Sequence, residues 1–475
     1  MKDFFSDSPS EECGIIGIFA PEEDVARMAF FGLFALQHRG QEAAGIAVSN
    51  GTSMTMYKDI GMVANVFTAQ NLAKLSGHYA IGHTRYSTTG SSSARNAQPF
   101  MIETMYGPLG LGHNGNLVNS AELRDELLQA GVGLSSSSDT EVMTMMLARA
   151  KGGSWDERIR DCMGKWQGAY SLVILTRDCV YAIRDPWGFR PLSVGILPSG
   201  GSAVASETGA LSTLGCDAIR EIKPGEIVTL SNKALSVNQA VKPMRPQALC
   251  VFEHIYFSRP DAVWDGKSIH KVRQRLGEEL ARECGWGTQF ADVVIPVPDS
   301  STPAAIGFSR TSGIPYNDGF IKNRYVGRTF IEPTDSLRKR GVALKFNVIG
   351  ENILNKRVIM IDDSIVRGNT TGPLVKLLRN AGAAEVHVAI TCPPIKHPCF
   401  MGVDMGVYDD LIAHKRSNDE IRMISNADSL HFLSLEGMMS AIGEKEGYCQ
   451  ACFTGNYPIP INMVKAKTGF ERNLK

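Results

Sequence analysis

VIMIDDSIVRGNTTG, residues 358–372, decides the fold of the second half of this chain. An apolar strand ends in two adjacent acids, Asp362 and Asp363. A loop rich in Ser, Thr and Gly follows, and then a helix begins. The backbone N–H groups of such a loop, with the helix N-terminus, form a cradle for a phosphate. Carboxylates at the strand end suit sugar hydroxyls or a divalent metal. The segment is not a Walker A loop, because G-x-x-x-x-G-K-[ST] is absent. Outward from it, DVVIPVPDS (292–300) and EVHVAITC (385–392) are further continuous apolar runs, the pattern of strands buried on both faces. GPLVKLLRNAG (372–382) reads as the helix between the last two strands. Strand, helix and strand in this order predict βαβ architecture around a parallel sheet.

Upstream the pattern changes. CGIIGIFA (13–20), AAGIAVSNG (43–51) and YAIGHTRYS (79–87) read as strands. AYSLVILT (169–176), VYAIRD (180–185) and RPLSVGIL (190–197) read as successive strands joined by tight turns. Helical spacing runs through 22–38 and 119–131. Hairpins with a few helices predict an α+β sandwich. VKPMRP (241–246), with two prolines in six residues, is a candidate linker.

The chain has 475 residues, with Lys plus Arg 49 and Asp plus Glu 49, so its formal net charge is zero. That balance argues against bulk attraction to nucleic acid or to an anionic membrane, though not against a local basic site. No apolar run approaches the roughly 20 residues that span a bilayer. Residues 1–12 (MKDFFSDSPSEE) are acidic and lack the apolar core of a secretory signal. A cytoplasmic, reducing location is expected, where cysteine clusters read as metal ligands or catalysts.

The 358–372 segment resembles the PRPP-binding motif of type I phosphoribosyltransferases. The resemblance implies a parallel α/β domain whose acids contact the ribose hydroxyls and whose loop binds the 5′-phosphate. The PRPP-binding residues are then Asp362, Asp363, Ser364, Ile365, Val366, Arg367, Gly368, Asn369, Thr370 and Thr371.

Four other segments, EECGIIGIF (11–19), LQHRGQEAAGI (36–46), GHTRYSTTG (82–90) and GHNGNLVN (112–119), together with SSDTE (137–141), resemble the glutaminase domain of N-terminal nucleophile amidotransferases. In that family the cysteine becomes the first residue, and its own α-amino group acts as base. The resemblance makes Cys13 the nucleophile and residues 1–12 a propeptide. Arg85, Thr88 and Asp139 would bind glutamine, and Asn114 with the N–H of Gly115 would form the oxyanion hole. GLGHNG (110–115) also fits G-x-G-x-x-G, but GVGLSSSS (131–138) supplies no strand ending in an acid, so a dinucleotide site is not expected.

The two resemblances together point to the glutamine phosphoribosylpyrophosphate amidotransferase family, over roughly residues 13–455. The implied organisation is a propeptide (1–12), an N-terminal-nucleophile glutaminase domain (13–240) and a phosphoribosyltransferase domain (250–475). The implied reaction opens de novo purine synthesis: ammonia from glutamine displaces pyrophosphate from PRPP and gives 5-phosphoribosylamine. YFSRPD (256–261), PVPDSSTPAAIGF (296–308) and KNRYVGRTFIEP (322–333) extend the likeness. It implies Mg²⁺ near Ser300, Asp362 and Asp363, and a basic loop that closes over PRPP. Lys322, Arg324, Arg328, Arg338, Lys339 and Arg340 fit such a lid, although a solvated surface loop reads the same way.

Cys449 and Cys452 form C-x-x-C, while Cys250 and Cys399 stand alone. By geometry four thiolates suit zinc or a [4Fe–4S] cluster equally. CVFEHIYFSRPD, HPCF and CQACF match the iron–sulfur subgroup of the family, which implies a [4Fe–4S] cluster on Cys250, Cys399, Cys449 and Cys452. Cys392 is a possible competitor, and Cys162, Cys179, Cys216 and Cys284 read as packing residues. The family further implies purine nucleotide feedback inhibitors and a homo-oligomer, dimer or tetramer. Two rival readings are a glutaminase with another acceptor, such as glucosamine-6-phosphate synthase or asparagine synthetase, and a non-catalytic PRPP-sensing regulator. The PRPP motif argues against the first. The glutaminase half argues against the second.

Overall fold

A computed structural model describes residues 13–86, 94–233, 235–323, 345–444 and 446–461. The first half stacks two antiparallel sheets. One runs Asp217–Glu221, Ser193–Ile196, Ser202–Ala205, Gly14–Phe19, Tyr79–Arg85, Ala43–Ser49, Met54–Ile60. The other runs Ser236–Gln239, Glu226–Leu230, Val180–Arg184, Gly168–Leu175, Gly107–Leu117, Phe100–Thr104. Ile15, Ile81 and Val204 meet Val173, Ala182 and Val228 in the core between them. Gly17 allows this approach, because a Cβ there would come within 2.8 Å of Val180 and Val204. The Val25–Ala35 helix covers one outer face, and the helices Ser120–Gln129, Asp139–Arg149 and Trp155–Met163 cover the other. The result is four layers, helix–sheet–sheet–helix.

The strands read at 169–176 and 180–185 do pair with each other, but the next one, Ser193–Ile196, crosses to the opposite sheet. The strand period marks each strand and not the layer it joins, which the turn between them sets. The glycines of GLGHNG lie inside the 11-residue strand Gly107–Leu117 and not in a strand-to-helix turn.

The second half holds a four-stranded parallel sheet, Val293–Pro296, Arg357–Asp362, Glu385–Ile390, Ser429–Phe432. Val358 to Ile361 are fully buried, as a strand covered on both faces by helices requires. The helices Ile269–Cys284, Thr302–Ser312 and Thr371–Asn380 supply that cover. No helix among the described residues is long and apolar enough to cross a membrane.

The halves are joined by buried charge. The Arg39 guanidinium sits between Glu207, at 2.5 Å, and Glu253, and all three side chains are fully buried. Arg39 and Glu207 belong to the first half. Glu253 opens the helical turn Glu253–Phe257 at the start of the second.

Candidate active sites

Cys13 stands at the edge of the Gly14–Phe19 strand, which pairs with the end of the Tyr79–Arg85 strand. Its Sγ lies 3.4 Å from the Tyr86 carbonyl. Burial pushes the thiol up to about 11, opposed by the Tyr86 contact and by Arg85. Arg85 is itself buried, with Glu42 at 3.9 Å. Burial alone would raise Asp139, but His113 and the N–H groups of Leu117 and Thr140 overcome it and hold its carboxyl below the usual range. Asp139 begins a helix, where the positive end of the helix dipole favours a carboxylate. Cys13, Arg85 and Asp139 act on one another electrostatically, so three distant segments converge.

Asn114 lies in the buried Gly107–Leu117 strand, and its side-chain Nδ2 has no hydrogen-bond partner. An unpaired buried amide donor is costly unless a ligand satisfies it. Gly115, at φ +144°, lies so close to the Ala169 carbonyl that a Cβ would meet its oxygen at 2.0 Å, so only glycine fits. His83 holds this strand in place through a 3.0 Å contact with the His113 carbonyl. Thr88 lies outside the described residues, as do residues 1–12.

In the second half, Asp362 and Asp363 end the central parallel strand. Ser300 Oγ donates to Asp363 at 2.6 Å, and Ser301 Oγ to Asp362 at 3.4 Å. Ser364 Oγ donates to Asp363 at 2.8 Å. Ile365 and Val366 are buried in the core, so they anchor the loop and offer a ligand only their backbone. The Ile412 N–H to Val366 carbonyl bond, 2.9 Å, fixes that anchor. Gly368 takes φ +76°, and a Cβ there would strike Ile412 at 2.6 Å. Arg367 reaches Asp410 at 3.3 Å, and Asn369 is exposed. Thr370 and Thr371 lead into the positive end of the Thr371–Asn380 helix. Lys322 pairs with Asp299 at 2.9 Å beside Ser300. Arg324, Arg328, Arg338, Lys339 and Arg340 lie outside the described residues.

The four cysteines also converge. Cys250 and Cys449 face each other across a two-residue parallel pairing. Burial raises Cys250 to about 12, and Cys399 and Cys449 add to that effect. Cys452 is raised well above the usual range by burial and then by Cys250, Cys449 and Cys399. The Met401 N–H points at Cys399 Sγ at 3.4 Å. Cys392 also acts on Cys452, with its own Sγ directed to the Pro393 carbonyl. Among the described residues, no group of three or more His, Cys, Asp or Glu is arranged to hold a metal ion.

The chain as a whole is matched by known proteins. Residues 83–213 match the model of the glutamine amidotransferase domain family. The chain is 49% identical to the amidophosphoribosyltransferase of Synechococcus elongatus, over 96% of this chain and 93% of that one. It is 45% identical to the amidophosphoribosyltransferase of Methanothermobacter thermautotrophicus, over 95% of both. The chain belongs to the amidophosphoribosyltransferase family. Two solved structures agree in fold. One, described as the allosteric regulatory enzyme of purine biosynthesis, superposes with a TM-score of 0.91 at 42% identity, over 96% of this chain and 98% of that one. The other, the glutamine PRPP amidotransferase of B. subtilis in complex with ADP and GMP, gives 0.89 at 42% identity, over 96% of this chain and all of that one. As a member of the family, the chain is a glutamine amidotransferase and transferase of the first step of purine synthesis, an N-terminal-nucleophile glutaminase fold followed by a phosphoribosyltransferase fold.

The glutaminase segments quoted from the sequence include Arg39, and the YFSRPD region follows Glu253, yet neither residue has a role in the sequence reading. The signal available was a charged residue inside an otherwise apolar stretch, at LQHRG and CVFEHIYF. Such residues are seldom buried unless they are paired.

Proposed function

We propose that glutamine is opened at Cys13 and that its ammonia is used at Asp362 and Asp363. Cys13 sulfur attacks the glutamine side-chain carbonyl carbon, ammonia leaves, and water hydrolyses the resulting thioester to glutamate. Arg85 holds the glutamine α-carboxylate, Asp139 holds the α-amino group, and Thr88 is assigned to glutamine binding with them. The Asn114 side chain and Gly115 N–H receive the oxyanion. Ammonia then displaces pyrophosphate from C1 of PRPP. Asp362 and Asp363 bind the ribose hydroxyls. Residues 364–371 cradle the 5′-phosphate, and Lys322 offers positive charge to the leaving pyrophosphate. The convergence of the buried Cys13, Arg85 and Asp139 side chains carries this reading. Residues 1–12 are read as a propeptide, 13–240 as the glutaminase domain and 250–475 as the transferase domain.

The oxygen donors of Ser300, Asp362 and Asp363 suit Mg²⁺, which would neutralise the leaving pyrophosphate when bound. The four cysteines are read as ligands of a [4Fe–4S] cluster because their motifs match the iron–sulfur subgroup of the family. A zinc site draws four sulfurs to about 2.3 Å from one point, whereas a cluster spreads them over the corners of a cube. The thiols act on one another, and backbone N–H groups are directed at the Cys399 and Cys449 sulfurs, as they are for a sulfur-bound group. A cytoplasmic homo-oligomer inhibited by purine nucleotides completes the reading, and the ADP and GMP complex of the B. subtilis relative supports the last point.

Intact-mass analysis of active enzyme tests the nucleophile, with a chain beginning at Cys13 expected. Full glutamine-dependent activity in a chain that retains Met1 overturns it. Anaerobically purified protein should be brown and contain acid-labile sulfide. Stoichiometric zinc without iron refutes the cluster.

A further inference from the structure

We infer that Arg190 is a positioning residue that ties the sulfur ligands to the oxyanion strand and supplies the fixed positive charge a four-thiolate group requires. The inference rests on the cluster reading above. Arg190 lies in the turn between the strands Val180–Arg184 and Ser193–Ile196, and it is fully buried. Its own carbonyl accepts from Arg184 Nε at 2.9 Å and from Ser171 Oγ at 3.2 Å, so its main chain is pinned to the glutaminase sheet.

From that anchor the side chain crosses to the second half. Nη2 donates to the Met401 carbonyl at 2.5 Å, two residues beyond Cys399. Met401 in turn points its N–H at the Cys399 sulfur. The next residue, Gly402, fits between two neighbours. A Cβ there would lie 3.1 Å from Arg190 Nη2 and 3.0 Å from the carbonyl carbon of Gly115. Asn116, one residue on, donates from Nδ2 to the Phe400 carbonyl at 2.9 Å. The cysteine-bearing segment 399–402 therefore leans directly on the strand that carries Asn114 and Gly115. On the other side, the Cys250 N–H donates to the carbonyl of Phe189, the neighbour of Arg190, at 3.1 Å.

Charge supports the same assignment. Buried thiolates are costly without a compensating cation. Arg190 stands between two of the cysteine segments: its Nη2 donates to the Met401 carbonyl beside Cys399, and the carbonyl of its neighbour Phe189 accepts from the Cys250 N–H. A guanidinium cannot lose its proton in a protein, so this charge is permanent.

The experiment uses anaerobically purified full-length enzyme, as wild type, Arg190→Met and Arg190→Lys. It measures iron and sulfide content, the cluster midpoint potential by dithionite titration followed by electron paramagnetic resonance, and kcat and KM for glutamine hydrolysis. Loss of a buried cation disfavours the more negative reduced state, so Arg190→Met should shift the potential downward and Arg190→Lys should restore most of the shift. Deleting an oxyanion donor costs about 10²–10³ in kcat, and merely loosening its strand should cost about tenfold in kcat with little change in KM. If Arg190→Met does not fold, Arg190→Gln, neutral and able to reach the Met401 carbonyl, takes its place with the same expected downward shift. A wild type without iron and sulfide removes the cluster reading and this inference with it. A wild type with its cluster, beside neutral and Lys variants of equal potential and unchanged kcat, overturns the inference alone and leaves the cluster standing.

Discussion

Replacing Arg39 with Met should loosen the join between the two halves more than any other single change outside the active sites. Arg39 donates from Nε to Glu207 at 2.5 Å and from Nη1 and Nη2 to Glu253, at 3.2 Å for Nη1. Burial alone would lower the guanidinium's affinity for its proton. Glu253 and Glu207 outweigh that and hold it firmly cationic. Glu207 is held well below the usual carboxylate range: burial opposes ionisation, but His38 and Arg39 prevail. With methionine in place, Glu207 keeps His38 at 2.7 Å and the Arg259 N–H at 3.1 Å. Glu253 keeps the Ser258 hydroxyl, with Arg273 farther off. Removing one partner of a buried pair costs about 3–5 kcal/mol, because the remaining charge stays buried and uncompensated. Against a typical net stability of about 5–15 kcal/mol, that is a large share.

The assay is urea unfolding of wild type, Arg39→Met, Glu253→Met and the double variant. The single Arg39 variant should lose about 3–5 kcal/mol, and the double variant should recover a substantial part of it, because no orphaned charge remains on Glu253. Wild type should unfold with the two halves linked, whereas Arg39→Met should show the halves separating into two transitions. A loss under about 1 kcal/mol, or strict additivity in the double variant, would refute the reasoning.

Cys13→Ala should abolish phosphoribosylamine formation from glutamine and leave formation from added ammonium largely intact; loss of both in a folded protein contradicts the two-site mechanism. Asp362→Asn should lower both activities together by roughly ten- to a hundredfold, the equivalent of about 1.5–3 kcal/mol, as steady-state rates with either nitrogen donor will show. Stability should fall on mild acidification. Burial lowers His83 to about 3 and His254 to about 4 from 6.5. Between pH 6.5 and 4 the unfolded chain therefore binds more protons than the folded one, and stability drops as pH falls. Each histidine contributes on the order of 2 kcal/mol of that loss at pH 5, and His254→Phe should flatten the pH dependence of the unfolding midpoint. Gly115→Ala should remove glutamine hydrolysis, because the Ala169 carbonyl leaves no room for a Cβ, and circular dichroism will show whether the fold survives.

The parallel sheet was legible because its strands are buried on both faces, and the unbroken run from Val358 to Ile361 has no other use. The loop after Asp363 was legible for the same reason as its chemistry: a phosphate cradle needs small and hydroxylated residues at a strand end. The antiparallel layers were legible only strand by strand. Nothing in RPLSVGIL tells that Ser193 pairs with Ala205, because the crossover depends on the Asp185–Arg190 turn. That turn is built by one carboxylate, Asp185, which accepts the N–H groups of Trp187, Gly188 and Phe189. The glycines of GLGHNG, which fit a dinucleotide motif by spacing, serve close packing within a sheet: Gly112 would meet Val173 at 3.1 Å if it carried a Cβ.

What the sequence left hidden lies mostly at the join, and the reason is physical. A strand or helix advertises itself through periodicity, whereas a contact between halves is made by single atoms from residues far apart in the chain. Arg39 with Glu253, Arg190 with Met401 and Asn116 with Phe400 are each one side chain meeting one partner more than 200 positions away. No local pattern records such a pair. The same contacts explain why the glutaminase site should not be treated as a module. Gly115 borders Gly402, so the oxyanion strand is shaped on one side by the Ala169 strand of its own sheet and on the other by the cysteine segment of the second half. Among the described residues, Asp139 and Arg85 take their partners from the first half, and substrate binding there should survive perturbation of the join. The position of the oxyanion donors should not. Changes at the join therefore ought to reach kcat for glutamine before they reach KM.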